Sequence, residues 1–181
     1  MVKIIITLLL CTILYSCSAP YYRLADGRKV IKSKYKNIKY FDANIFNEID
    51  VNFLYKKVDY YMADKNYKKL RDIGEDVERS IQFYNNGAVR FIDYLEPNPE
   101  KSGGRGVFYI RNEKMFIDKF GLSSDRSGIT YSYRLKVEGD YIYLRRFQKV
   151  FFSESSESLC FVYKKSDEKV PEEWQKYAVD W

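Results

Sequence analysis

Apolar and polar residues alternate most cleanly between positions 129 and 137. Ile129, Tyr131, Tyr133, Leu135 and Val137 fall at every second place, with Thr130, Ser132, Arg134 and Lys136 between them. This two-residue period predicts a β-strand with one face buried and the other facing outward. Shorter runs with the same rhythm surround it. Ile81 and Phe83 lead into Asn85-Asn86-Gly87, a strong hairpin signal, and residues 88–95 return from it. Residues 107–110 and 114–120 pair around Asn112-Glu113. Glu138-Gly139-Asp140 turns the central strand back into 141–152, and 159–163 supply a last strand. Between 96 and 104, prolines and glycines predict a loop.

The pattern is less regular before residue 79. Ile38, Tyr40 and Phe41 suit a short strand, and Val58, Tyr60 and Met62 a better one. Ile45, Ile49, Leu54 and Val58 recur at spacings near four, which predicts a short helix; Tyr67, Leu70 and Ile73 add another helical turn. At the C-terminus, Pro171-Glu172-Glu173-Trp174 begins like a short helix, with proline first and acids in the first turn.

The chain is therefore mainly β. Its consecutive strands and short turns form an antiparallel meander that must hide its edges by closing into a small barrel or stacking as a two-sheet sandwich. The barrel is the preferred expectation. In strand number and order, over about residues 55 to 165, the pattern resembles lipocalin-like small β-barrels. The Gly-x-Trp near the first strand of true lipocalins is missing, and Trp174 and Trp181 stand at the far end instead. The resemblance is architectural and implies no site residues.

The first residues follow a different pattern. Lys3 precedes an apolar stretch, 4–14, interrupted only by Thr7, Cys11 and Thr12. A membrane-spanning helix needs about 20 apolar residues, so this stretch fits the core of a signal peptide. At its end stands Leu14-Tyr15-Ser16-Cys17, which resembles the lipobox of bacterial lipoproteins through Leu14, Ser16 and Cys17. That resemblance implies cleavage after residue 16 and acyl chains such as palmitate on Cys17. Two or more chains, at about 0.8 kcal/mol per buried CH2, make a durable membrane anchor. Ser18 follows the cysteine, where an aspartate would signal retention in the inner membrane. The family rule then implies an outer-membrane lipoprotein; the lack of an acidic run after Cys17 favours the periplasmic face, with exposure on the cell surface as the alternative. The expected organisation is a signal peptide at 1–16, a lipidated tether at 17–36 and a single β-rich domain at 37–181.

Composition narrows the chemistry. There is no histidine, which excludes Ser-His-Asp and Cys-His nucleophiles and HExxH zinc sites. With Cys11 in the leader and Cys17 acylated, Cys160 has no disulfide partner, and Ser158-Leu159-Cys160-Phe161 reads as a buried apolar position. Gly103-Gly104-Arg105-Gly106 lacks the spacing of a phosphate loop and opens onto a strand. Glu172-Glu173, and Asp72 with Glu75 and Asp76, lack the calcium-loop array and read as solvated acids. No catalytic residue, metal ligand or cofactor is expected.

Charge is uneven within the net +6. From Ser18 to Arg71, 13 Lys or Arg face 6 Asp or Glu, whereas from Asp72 onward 17 face 19. The basic excess lies nearest the anchor, where it could meet anionic headgroups. Export argues against a nucleic-acid partner. The remaining expectation is a non-enzymatic, membrane-anchored lipoprotein binding an envelope protein or a small apolar ligand. The Tyr131, Tyr133 and Leu135 face is the candidate ligand surface. A structural or assembly role in the envelope is the alternative, with a histidine-independent hydrolase behind it.

Overall fold

Strand pairing follows the meander. The computed structural model describes residues 21–23, 29–31, 36–74, 79–93, 95, 97–99, 104–122, 128–147, 149–150 and 153–179; side chains are described from Lys36 onward except for some positions near these boundaries. The leader, Cys11 and Cys17 lie outside the described residues. The strands are β1 (Tyr21–Arg23), β2 (Lys29–Ile31), β3 (Phe53–Ala63), β4 (Lys69–Asp72), β5 (Arg79–Phe83), β6 (Ala88–Asp93), β7 (Gly104–Arg111), β8 (Lys114–Leu122), β9 (Gly128–Glu138), β10 (Tyr141–Arg146), β11 (Lys149–Val150), β12 (Ser153–Glu154) and β13 (Ser158–Lys169). Three 3-10 helices accompany them: η1 (Lys36–Tyr40), η2 (Ala43–Asn47) and η3 (Glu172–Val179).

β3, β5, β6, β7, β8, β9, β10 and β13 pair in that order, all antiparallel, and β13 returns to pair with β3. The sheet is thus a closed eight-stranded barrel of lipocalin-like architecture, with β4 as one extra strand. Closure resolves the choice between barrel and sandwich, because it removes both edges of the meander at once. The turns carry the local logic. Gly87, at φ 85°, closes a three-residue hairpin loop in the left-handed position. Asn112 and Glu113, at φ 50° and 58°, form the two-residue loop between β7 and β8.

One face of each strand fills the barrel. Tyr55, Phe83, Phe91, Phe108, Ile117, Leu135, Leu144 and Tyr163 belong to a single buried cluster. One end is plugged by η2 and the residues beside it. Asp42 caps η2 by accepting from the Asn44 amide at 3.0 Å, and Ile45 and Ile49 are buried against the barrel strands. Phe41 packs edge-on to Phe108 at 5.7 Å, and Phe108 edge-on to Phe83 at 6.1 Å. A Cβ on Gly87 would lie 2.8 Å from Phe41 Cγ, so glycine is required there for space as well as for φ.

Four expectations are corrected. Tyr67, Leu70 and Ile73 do not form a helical turn: residues 69–72 pair with β3, and Tyr67 sits at φ 68° in the hairpin loop. Leu54 and Val58 continue strand β3, so the predicted helix is confined to η2. Ile38 and Tyr40 lie in η1; Ile38 packs on Val107, Tyr109 and Phe120, holding η1 against β7 and β8, while Tyr40 is exposed. The return strand 141–152 stops at Arg146, and a separate two-residue ladder, β11–β12, follows. Within the stretch expected to be a tether, β1 and β2 pair with each other and β2 lies against β9.

β4 and β5 are two parts of one interrupted strand. Both run antiparallel along the same edge of β3, β4 opposite Tyr61, Met62 and Ala63, β5 opposite Tyr55 and Lys56. Between them β3 has no partner on that edge among the described residues. Its other edge carries a bulge there, where Val162 faces Asp59 and Tyr163 faces Lys57, skipping Val58.

Candidate functional site

Tyr131, Tyr133 and Leu135 all face into the barrel. Tyr133 and Leu135 are buried in the core cluster, and Tyr131 packs against it half-buried. Tyr133 packs edge-on to Phe161 at 6.0 Å, and the Arg146 guanidinium lies 4.9 Å from the Tyr131 ring centre. Burial pushes the Tyr133 hydroxyl up to about 12, against the pull of Arg146 and Arg79. The space left beside Tyr133, Leu144 and Phe161 is about 20 Å³. That holds about one water, far below the roughly 300 Å³ at which ligand pockets begin. The three residues come together as expected, but as packing.

The end of the barrel away from η2 carries an inward-facing polar layer. Arg79 pairs with Asp93 at 3.0 Å, and Lys119 lies 4.5 Å from the Phe91 ring centre. Arg79 also opens onto a second space. Where β4 gives way to β5, a cleft of about 300 Å³ runs along the outside of the barrel under η3. Leu54 and Ile92 form its floor, with Pro97 and Trp174 on its sides. Lys57 lines it, as do the Arg79–Asp93 pair and the exposed Lys56–Glu168 pair at 2.6 Å. Three cations against two carboxylates leave it one positive charge in excess.

Local structure explains this placement. β13 runs on to Lys169 opposite Phe53, and the Val170 amide bonds to the Asn52 carbonyl at 2.8 Å, so η3 starts beside β3. At its other end the Tyr177 carbonyl accepts from Arg90 on β6 at 3.0 Å, which holds η3 over the wall. Trp174 is thereby brought to the break between β4 and β5. Sequence reasoning missed this cleft because its residues come from four separate segments. The only signal was the pairing of a C-terminal amphipathic turn with tryptophan.

The outer wall also buries polar groups. Asp118 is fully buried and accepts from Asn37 at 2.8 Å and Ser132 at 2.6 Å, with the Tyr109 hydroxyl also directed at it. These bonds fasten η1 to β8 and β9. Cys160 is fully buried, and burial raises its thiol to about 12, so it is a packed position. Arg105, from the glycine-rich segment, is buried on the wall in strand β7, opposite Arg90; Gly103 lies outside the described residues.

Among the described residues no group of three or more histidines, cysteines or acids could hold a metal ion. No helix among them is long and apolar enough to cross a membrane. No protein-family profile matches the chain, and no curated protein matches it.

Proposed function

We propose that the protein is a non-enzymatic binding module of the bacterial envelope, tethered to the outer membrane by lipid on Cys17 and facing the periplasm. Its binding site is the cleft at the β4–β5 break. The observation that carries this placement is the lining: the space beside Tyr133 is about 20 Å³, whereas the cleft offers about 300 Å³ and sets Leu54, Ile92 and Trp174 beside Lys57 and Arg79. The lining sets the class of occupant. Leu54, Ile92 and Trp174 suit an apolar group, and Lys57 and Arg79 beside it suit an acidic one. A ligand or partner side chain with an apolar body and one negative charge fits better than a purely apolar one.

Anilinonaphthalene sulfonate, an aromatic anion, is a suitable probe. One-to-one binding that Ser80→Trp abolishes supports the cleft; binding unchanged by that substitution places the site elsewhere. The anchor has its own test. Metabolic palmitate should label the protein, and Cys17→Ala should remove the label; a label that persists in the variant refutes lipidation at Cys17.

A further inference from the structure

A second site lies on the outer wall, away from the cleft. Arg134 on β9 and Arg145 on β10 stand directly opposite each other in the ladder. Like charges at such a position repel, so something must compensate them. The compensation is one carboxylate. Glu154 on β12 bonds Arg145 Nη2 through one oxygen and Arg134 Nη2 through the other, the latter at 3.0 Å. The Arg145 side chain is fully buried, while Arg134 and Glu154 keep about a fifth and a sixth of their surface exposed.

Two guanidinium groups offer ten N–H donors, and a single carboxylate leaves most of them without an anion. The Tyr67 hydroxyl is directed at Arg145, yet Nε and Nη1 of Arg145 and Nε of Arg134 are buried and make no well-formed hydrogen bond. Buried charged donors take an acceptor from protein, water or ligand, so these three N–H groups are open to one more. The lid over the pair is strained. Tyr67 holds φ 68°, the left-handed position that Gly87 fills in the equivalent loop, and its ring lies 5.7 Å from the Arg145 guanidinium. Non-glycine residues persist there only where their surroundings demand it. The segment carrying Glu154 is held lightly: its ladder with β11 has two residue pairs, Lys149 with Glu154 and Val150 with Ser153.

The surroundings select the partner. Lys65, Lys68, Lys69 and Arg71 are all exposed on the β3–β4 hairpin whose loop carries Tyr67. Lys69 and Arg71 have acidic neighbours, but Lys65 and Lys68 have no ion pair among the described residues. Lys136 lies 5.6 Å from the Tyr67 ring centre. An arginine pair, one member buried and the other partly exposed, already holds a carboxylate and lies beside a basic strip.

We infer that Arg134 and Arg145 form a carboxylate-binding clamp for an acidic peptide segment of a partner protein, and that Glu154 occupies it as an internal stand-in. A partner carboxylate displaces the Glu154 carboxylate from the two guanidinium groups, while further acids on the segment lie along Lys65 and Lys68. No bond other than hydrogen bonds and ion pairs changes. The internal carboxylate competes with the partner, so removing its charge strengthens binding.

The test is fluorescence anisotropy of a labelled hexaglutamate peptide with the full chain. Glu154→Gln should bind at least tenfold more tightly than the native protein, and adding Arg134→Met should abolish the gain. If Glu154→Gln binds no better, Glu154 is a structural ion pair and the inference fails. Attraction to the surface lysines alone would leave both variants equal to the native protein, which also overturns it. Inorganic phosphate competing as well as the peptide, mole for mole, would overturn the assignment to carboxylates. As a second readout, acetate should raise the melting temperature of Glu154→Ala but not of the native protein. No rise in the variant removes the clamp.

Discussion

Two three-residue hairpin loops in this barrel share one geometry and differ in the residue at the left-handed position. In the β5–β6 loop, Asn85-Asn86-Gly87, the left-handed position is glycine, at φ 85°. In the β3–β4 loop, Lys65-Asn66-Tyr67, it is tyrosine, at φ 68°. The hydrogen bonds correspond: Gly87 to Tyr84 at 3.1 Å and Tyr84 to Ala88 at 3.0 Å, against Tyr67 to Asp64 at 3.2 Å and Asp64 to Lys68 at 3.1 Å. In the second loop the Asp64 carboxylate also accepts from the Asn66 and Lys68 amides. The first loop serves the interior, where Phe41 leaves no room for a Cβ. The second serves the outer wall, where a tyrosine ring is needed over Arg145. The barrel thus holds an apolar core inside and a buried cationic layer outside, each tied down by its own hairpin.

The interior side of that comparison carries the largest expected effect. Phe108→Ala removes a buried ring that contacts Phe41 and Phe83, and should cost about 3 to 5 kcal/mol in urea unfolding. A loss below about 1 kcal/mol would mean that the barrel core is not packed as described. On the wall, Arg145→Met should cost about 2 kcal/mol, less than a core ring, because burial of the guanidinium already depresses its pKa and Glu154 keeps Arg134. Combining it with Glu154→Gln should cost somewhat more, because Arg134 then loses its carboxylate, and a double-mutant cycle measures the coupling.

The two loops can be set against each other directly. Gly87→Ala introduces both an unfavourable φ and a contact with Phe41, and should cost about 2 kcal/mol. Tyr67→Gly relieves the backbone but loses the ring over Arg145 and Tyr143, so its net effect should stay within about 1 kcal/mol. Equal effects at the two positions would erase the distinction between them.

The smallest effect is alkaline. The Cys160 thiol titrates at its ordinary 9.0 when unfolded and only near 12 when folded, because burial penalises the thiolate. The unfolded chain binds fewer protons in that interval, so this contribution to stability is complete below pH 9 and is lost as pH rises toward 12. Between pH 8 and 10 the Cys160 share of the decline should be on the order of 1 kcal/mol, and Cys160→Ala should remove that share. What is left is the part due to tyrosines such as Tyr67 and Tyr133, which burial also raises. Alkylation mapped by mass spectrometry should find Cys160 unmodified in the native protein at neutral pH.

Much of the fold was legible because it rests on local signals. Strict alternation from Ile129 to Val137 requires a half-buried strand whatever surrounds it, and Asn85-Asn86-Gly87 supplies its own turn. Tyr67, Leu70 and Ile73 misled because their helical spacing is outweighed by pairing with β3 and by the Asp64 bonds that close the loop. The face bearing Tyr131, Tyr133 and Leu135 could be placed as inward, yet whether it lined a cavity depended on the sizes of Phe91, Phe108 and Phe161 across the barrel. Nothing near Glu154 in the chain hinted at Arg134 and Arg145, since opposite charges so spaced are ordinary on any surface.

The sequence by itself determined an antiparallel β meander, its turns, the absence of histidine chemistry and the position of the lone domain cysteine. These depend on periodicity, on φ preferences and on residue identity, which are properties of short stretches. Tertiary structure alone decided that the meander closes, that side chains fill the space beside Tyr133 and that a cleft opens where one strand breaks. It also decided that Arg134, Arg145 and Glu154 meet. Each of these depends on which distant segments share a surface, and on how much volume their side chains leave between them.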